Sequence, residues 1–170
     1  MAESTTSITV DEFLSSTYKP ACDYVGGVLR PKPLPTWNHS MIQSQILQLV
    51  NLNFPGFRAG AEVTVRISPT RYLVPDVVVQ ESGNIQSPYP TEPVHLCVEV
   101  LSPDDRLSDT IAKCEEYHAW GVSYVWLIDP EEKRAWEFPR GQRLHEVREA
   151  GALSAGAITA GLVDVFHAMR

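Results

Sequence analysis

Two apolar runs in this chain each carry one carboxylate. Asp76 sits in Leu73-Val74-Pro75-Asp76-Val77-Val78-Val79, and Glu99 in Val94-His95-Leu96-Cys97-Val98-Glu99-Val100-Leu101. Both runs read as buried strands, and a charge left in such an interior costs roughly several kcal/mol unless it is paired, protonated or bound to a metal. A strand that carries one is expected to use it. Asp76 lies early in its strand, after Pro75, whereas Glu99 lies late in its own. Antiparallel pairing sets the start of one strand beside the end of the other, so the two carboxylates would meet at one sheet edge and on one face. Parallel pairing would place them nearer opposite ends.

The chain has 170 residues, which predicts one domain over residues 1–170 with a proper core. No stretch approaches the length of a transmembrane helix. Met1 to Val10 is polar, with Glu3, a Ser/Thr cluster and no apolar signal core, which predicts a cytoplasmic protein. Cys22, Cys97 and Cys114 are odd in number and form no CxxC pair, so they read as reduced thiols. The formal net charge is −7. Proteins that grip duplex nucleic acid usually present a basic stripe, because phosphate neutralisation supplies most of the affinity. Arg30, Lys32, Arg58, Arg66 and Arg71 enrich the first half in cations, but the net charge does not support DNA as a partner.

Thr9 and Glu12 stand at capping-box spacing and open a short helix that ends near Pro20. Asp23 to Leu29 reads as a hairpin turning at Gly26-Gly27. Pro31, Pro33 and Pro35 enforce an extended link to a helix from Trp37 to Asn53, stopped by Pro55-Gly56. Ala61 to Ile67 alternates as one strand, followed by the Asp76 strand, a loop from Glu81 to Pro93 and the Glu99 strand. Ser102-Pro103-Asp104-Asp105 begins a helix that runs to Trp120 and stops at Gly121. A hairpin of residues 123–128 and 134–138 follows, then an edge strand within 143–148, a loop from Ala150 to Ala160 and a short helix from Leu162 to Met169. This order gives an α/β or α+β fold with a mixed central sheet.

Magnesium is commonly held by one or two protein carboxylates, with water and substrate phosphate completing its shell. Asp76 and Glu99 suit that role; each also reads as a cap or ion pair internal to the fold. His95 and Cys97 share the face of Glu99 if strand alternation holds, but no second histidine stands at matched spacing, so zinc is not expected. Trp120, Trp126 and Trp136 read as core or partly buried aromatics. Glu62, at the start of a strand beside the site, is an accessory ligand or a solvated strand residue. His39, near a helix N-terminus, is a phosphate or metal contact, or a capping and packing residue.

Several separate segments resemble the Uma-two family of restriction endonucleases, which belongs to the PD-(D/E)XK nuclease superfamily. They are Tyr72 to Val79, Val98-Glu99-Val100-Leu101-Ser102-Pro103-Asp104, the trio Asp109, Lys113 and Tyr117, and Gly121 to Pro130. The Asp23-Tyr24-Val25-Gly26-Gly27-Val28 hairpin and Trp37-Asn38-His39 extend the likeness over nearly the whole chain. The resemblance implies a restriction-endonuclease-like fold, with Asp76 and Glu99 as the Mg2+ (or Mn2+) ligands. Leu101 stands two residues after Glu99, so the literal lysine motif is broken; Lys113 on the following helix is the candidate to stabilise charge on the scissile phosphate or orient water. Asp109 and Lys113 also stand at the spacing of a surface ion pair. The hairpin departs from the family's acid-glycine-acid pattern, and Asp23 retains part of that role or serves as a hairpin-end charge.

What the resemblance implies is a magnesium-dependent endonuclease acting on DNA, as a homodimer, with Asp76, Glu99 and Lys113 as catalytic residues. The acidic charge, broken lysine motif and altered hairpin point instead to a catalytically inactive binding or assembly protein of the same fold. Hydrolysis of a small phosphate ester is a third reading, since nothing in the sequence names the substrate.

Overall fold

The computed structural model describes residues 7–169. The polar stretch at positions 1–6 lies outside the described residues.

The local signals near the start of the chain resolve mostly as expected. Helix α1 (Val10–Ser15) opens on a reciprocal capping box between Thr9 and Glu12, but stops at Ser15, more than a turn short of the end expected near Pro20, where Ser16 turns extended. Strands β1 (Cys22–Val25) and β2 (Val28–Pro31) form an antiparallel hairpin. Gly26 and Gly27 take φ of 56° and 91°, which residues with a Cβ rarely adopt. Helix α2 (Trp37–Asn53) follows, with the Thr36 hydroxyl accepting from the His39 backbone N–H.

Two apolar runs that read as single strands are each broken in two. Residues 61–67 divide into the end of β3 (Phe57–Ala61) and the start of β4 (Val65–Ser68), with Glu62 at φ 50° between them. Residues 73–79 divide into β5 (Arg71–Leu73) and β6 (Val77–Glu81). The halves belong to different sheets. One sheet has the order β2-β1-β5-β4, whereas β3 and β6 pair with each other in the larger sheet. Residues 73–79 are apolar apart from Asp76 because the chain passes from one sheet to the other inside the core.

The larger sheet adds β7 (Leu96–Val100), β8 (Tyr124–Asp129), β9 (Arg134–Pro139) and β10 (His145–Val147), in the order β10-β9-β8-β7-β6-β3. β6 and β7 are antiparallel, and β7 and β8 are parallel, joined across one face by helix α3 (Leu107–Trp120). α3 begins at Leu107 rather than at Ser102. Asp105 accepts from the Ser102 backbone N–H and its own N–H donates to the Ser102 carbonyl, closing a separate turn first. Gly121 ends the helix at φ 127°.

Alternation along β7 divides the core. Leu96, Val98 and Val100 pack with Ile42, Ile46 and Val50 of α2, while Cys97 packs with Cys114 and Tyr117 of α3. Trp126 and Trp136 are buried and Trp120 is half-buried.

Residues 150–160, expected as a loop, instead contain a hairpin of β11 (Ala152–Ala155) and β12 (Ile158–Gly161), turning at Gly156 with φ 63°. Leu153, Ala155, Ile158 and Ala160 are buried alternately with exposed neighbours, and the Trp126 indole N–H donates to the Ser154 carbonyl. Short helix α4 (Leu162–Val165) and a 3-10 turn (His167–Met169) complete this layer. Because Leu153 is fully buried in the α2-side core, Leu153→Ala is expected to lower stability by about 2–5 kcal/mol in urea denaturation. A loop residue would cost less than about 0.5 kcal/mol.

Candidate active site

The β6–β7 register pairs Val77 with Val98, so the next position outward sets Asp76 opposite Glu99. The antiparallel neighbours expected from the sequence are therefore present, and both carboxylates line one cleft of about 180 Å3. Both side chains are nearly inaccessible, with relative exposure of 1% for Asp76 and 5% for Glu99.

Each carboxylate has its own partners. Asp76 Oδ1 accepts a hydrogen bond from Lys32 Nζ at 2.5 Å. Its Oδ2 accepts from the Val100 backbone N–H at 2.7 Å and lies 3.3 Å from His39 Nε2. Glu99 Oε1 accepts from the Tyr117 hydroxyl at 2.5 Å and lies 3.2 Å from Lys113 Nζ. Among the described residues, no hydrogen bond is donated to Glu99 Oε2. Lys113 Nζ is also 3.3 Å from Asp23 Oδ2.

Residues 74–76, which leave one sheet and have not yet joined the other, are held by the same side chains. The Val74 N–H donates to Asp23 Oδ1 at 2.7 Å, and the Val74 carbonyl accepts from Lys32 at 2.9 Å and Lys113 at 3.3 Å. Pro75 has no N–H to satisfy. The Asp76 carbonyl accepts from Gln43 Nε2 at 2.7 Å and from the Glu62 backbone N–H at 3.1 Å. A buried segment outside both ladders must find every partner elsewhere, and here the polar residues of the cleft supply them.

These surroundings drive the two acids apart. Burial alone favours a neutral Asp76, but the His39 hydrogen bond and the Lys32 charge outweigh it and hold the carboxyl well below its usual range. For Glu99 burial prevails: the charge of Lys113 opposes it, the charge of Asp76 adds to it, and the pKa is raised. Burial disfavours the Lys113 ammonium, yet Glu99 and Asp23 overcome it and keep the amine protonated to unusually high pH. Burial and the nearby Glu99 push the Tyr117 hydroxyl well up, so it stays a donor.

The site thus gathers Asp76, Glu99, Lys113, Asp23 and His39. Glu62 is exposed on the cleft rim, just past the end of β3 rather than at the start of a strand, and touches the site through its backbone. His95 departs from the expected alternation. It packs against Phe57 and Tyr124, with Nε2 2.9 Å from the Ala155 carbonyl, on the α2 side of the sheet, whereas Cys97 and Glu99 meet α3. Lys32 was not among the residues expected in the site. Its one signal is a cation placed between Pro31 and Pro33, where the chain is stiff and otherwise apolar.

The donors suit a hard divalent ion. They are carboxylate oxygens converging on a cleft, with Glu99 Oε2 not engaged by a donor among the described residues. Among the described residues, no group of three or more His, Cys, Asp and Glu could hold a metal. Magnesium commonly takes only one or two protein carboxylates.

A family model described as "Uma2: Putative restriction endonuclease" matches residues 10–163. Among solved structures, the fold matches a "putative nuclease belonging to DUF820" from Anabaena variabilis ATCC 29413. The TM-score is 0.80 at 24% identity, covering 96% of this chain and 99% of the other. A chain of the DrdV–DNA complex matches loosely, with a TM-score of 0.39 and 16% identity over 74% of this chain and 12% of the other. No curated protein matches.

Proposed function

This chain belongs to the Uma2 family of restriction-endonuclease-like proteins, and we propose that it hydrolyses phosphodiester bonds of DNA with a divalent metal held by Asp76 and Glu99. The observation that carries this reading is the convergence of the two buried carboxylates with Lys113 in one cleft. Mg2+ or Mn2+, when bound, supplies Lewis acidity toward phosphate oxygens and acidifies water.

The remaining steps fall to side chains of the chain itself. Asp23 and Glu99 fix Lys113 from two sides, and its protonated amine would turn one donor from Asp23, Glu99 or the Val74 carbonyl toward negative charge developing on the phosphate. Tyr117, held as a donor, orients Glu99. His39 and the Val100 N–H orient Asp76 from the side opposite Lys32. Arg30, Lys32 and Lys113 line the cleft beside Asp23, Glu62, Asp76, Glu99, Asp105 and Asp109, so an anionic backbone would meet single cations set among acids, and a bound divalent ion would have to supply the rest of the positive charge.

The direct test is cleavage of duplex DNA by the full chain, with Mg2+ and with excess EDTA. Nicking or linearisation is expected with Mg2+ and none after chelation. Cleavage that survives chelation, or no cleavage with either Mg2+ or Mn2+, would reject the assignment. The second outcome would favour the inactive binding protein.

A further inference from the structure

The geometry points to Lys32 as the resident counter-cation of Asp76, an ammonium that a divalent ion must displace before it can bind; this rests on the metal-site reading above. Asp76 Oδ2 is committed to the Val100 N–H and to His39, so Oδ1 is the oxygen left for a metal. That oxygen is covered by Lys32 Nζ at 2.5 Å. Oδ1 has a second lone pair, but a divalent ion bonded to it would crowd the ammonium already at 2.5 Å and set two like charges side by side in a buried place.

Charge balance leads to the same conclusion. The cluster holds three carboxylates, Asp23, Asp76 and Glu99, against two ammoniums, Lys32 and Lys113. Among these five groups, one net negative charge remains. A divalent ion added with both lysines in place would leave one net positive charge in a nearly dry site. With Lys32 withdrawn, the balance is zero, which a poorly solvated cluster favours.

Lys32 is the lysine that can leave. Lys113 is gripped by two carboxylates, whereas Lys32 is paired with one, beside a hydrogen bond to the Val74 carbonyl. Its backbone is anchored, with the Lys32 N–H donating to the Ala21 carbonyl at 2.8 Å. Release therefore needs only rotation of the flexible stem within the cleft, which Lys32 itself lines.

The test titrates Mn2+ into the full chain by calorimetry. Lys32→Met is expected to bind Mn2+ about tenfold more tightly than the unsubstituted protein. Because the substitution could disturb the fold, a second measurement uses the unsubstituted chain. Labelling with acetic anhydride, read by peptide mass spectrometry, is expected to increase at Lys32 when Mn2+ is added and to stay constant at exposed Lys133. Asp76→Asn is expected to remove that increase. Equal or weaker Mn2+ binding by Lys32→Met, or Lys32 labelling that ignores saturating Mn2+, overturns the inference and leaves the metal site standing. Absence of Mn2+ binding to either protein overturns both.

Discussion

Asp76→Asn is expected to reduce Mg2+-dependent DNA cleavage at least about a hundredfold, the order seen when a group that stabilises reacting charge is removed. The two side chains have nearly the same shape, so the loss would come from charge and donor direction. A carboxylate accepts at both oxygens, as Asp76 does from Lys32 and from the Val100 N–H. An amide offers one acceptor and turns an NH2 toward one of those donors. Either orientation sets donor against donor and strands a cation in a buried place, at a cost of roughly 3–5 kcal/mol for a broken buried pair. Rates should therefore be measured where circular dichroism shows the variant folded, alongside its urea midpoint. A folded variant that cuts at the original rate would remove Asp76 from the site.

The second large effect concerns Lys113. Lys113→Met leaves Glu99 and Asp23 facing one another without their shared cation, and roughly 3–5 kcal/mol of stability is expected to be lost. The double variant Lys113→Met with Glu99→Gln should recover part of that loss, because the more deeply buried of the two uncompensated charges goes with the second substitution while Asp23 remains. Cleavage should stay down about a hundredfold or more in both proteins. Denaturation curves and cleavage rates on the same preparations separate the two roles. If the folded Lys113→Met single variant cut at the original rate, Lys113 would be a structural cation alone.

What the sequence made legible follows from the range of each signal. The capping box, the Gly26-Gly27 turn, α2 with its proline-glycine stop and the β8–β9 hairpin are written in neighbouring residues, and they stand where expected. The antiparallel meeting of Asp76 and Glu99 was legible because an isolated charge in an apolar run demands a partner. The strand breaks at 62–64 and 74–76 were not, because hydrophobicity records burial and not the sheet in which a residue is buried. The β11–β12 hairpin was hidden by small residues: Ala155 and Ala160 are core positions, but alanine and glycine read as loop. Lys32 lies 44 residues from Asp76 and reaches it only through the smaller sheet, a tertiary fact without a local trace. Asp23 and His39 were legible as charges with two readings each, and their distances to Lys113 and Asp76 bring both into the cleft.

The segment of residues 74–76 has a bearing on how such a protein can change over time. Its backbone is tied down by Asp23, Lys32, Lys113 and Gln43, so residues proposed to act in cleavage would serve as its scaffold as well. Substitutions that silence this cleft would at the same moment loosen the passage between the two sheets. A lineage that no longer needed cleavage would still be under pressure to keep these side chains, for folding alone. Their presence in a descendant would thus attest to an intact fold well after it had stopped attesting to an active one.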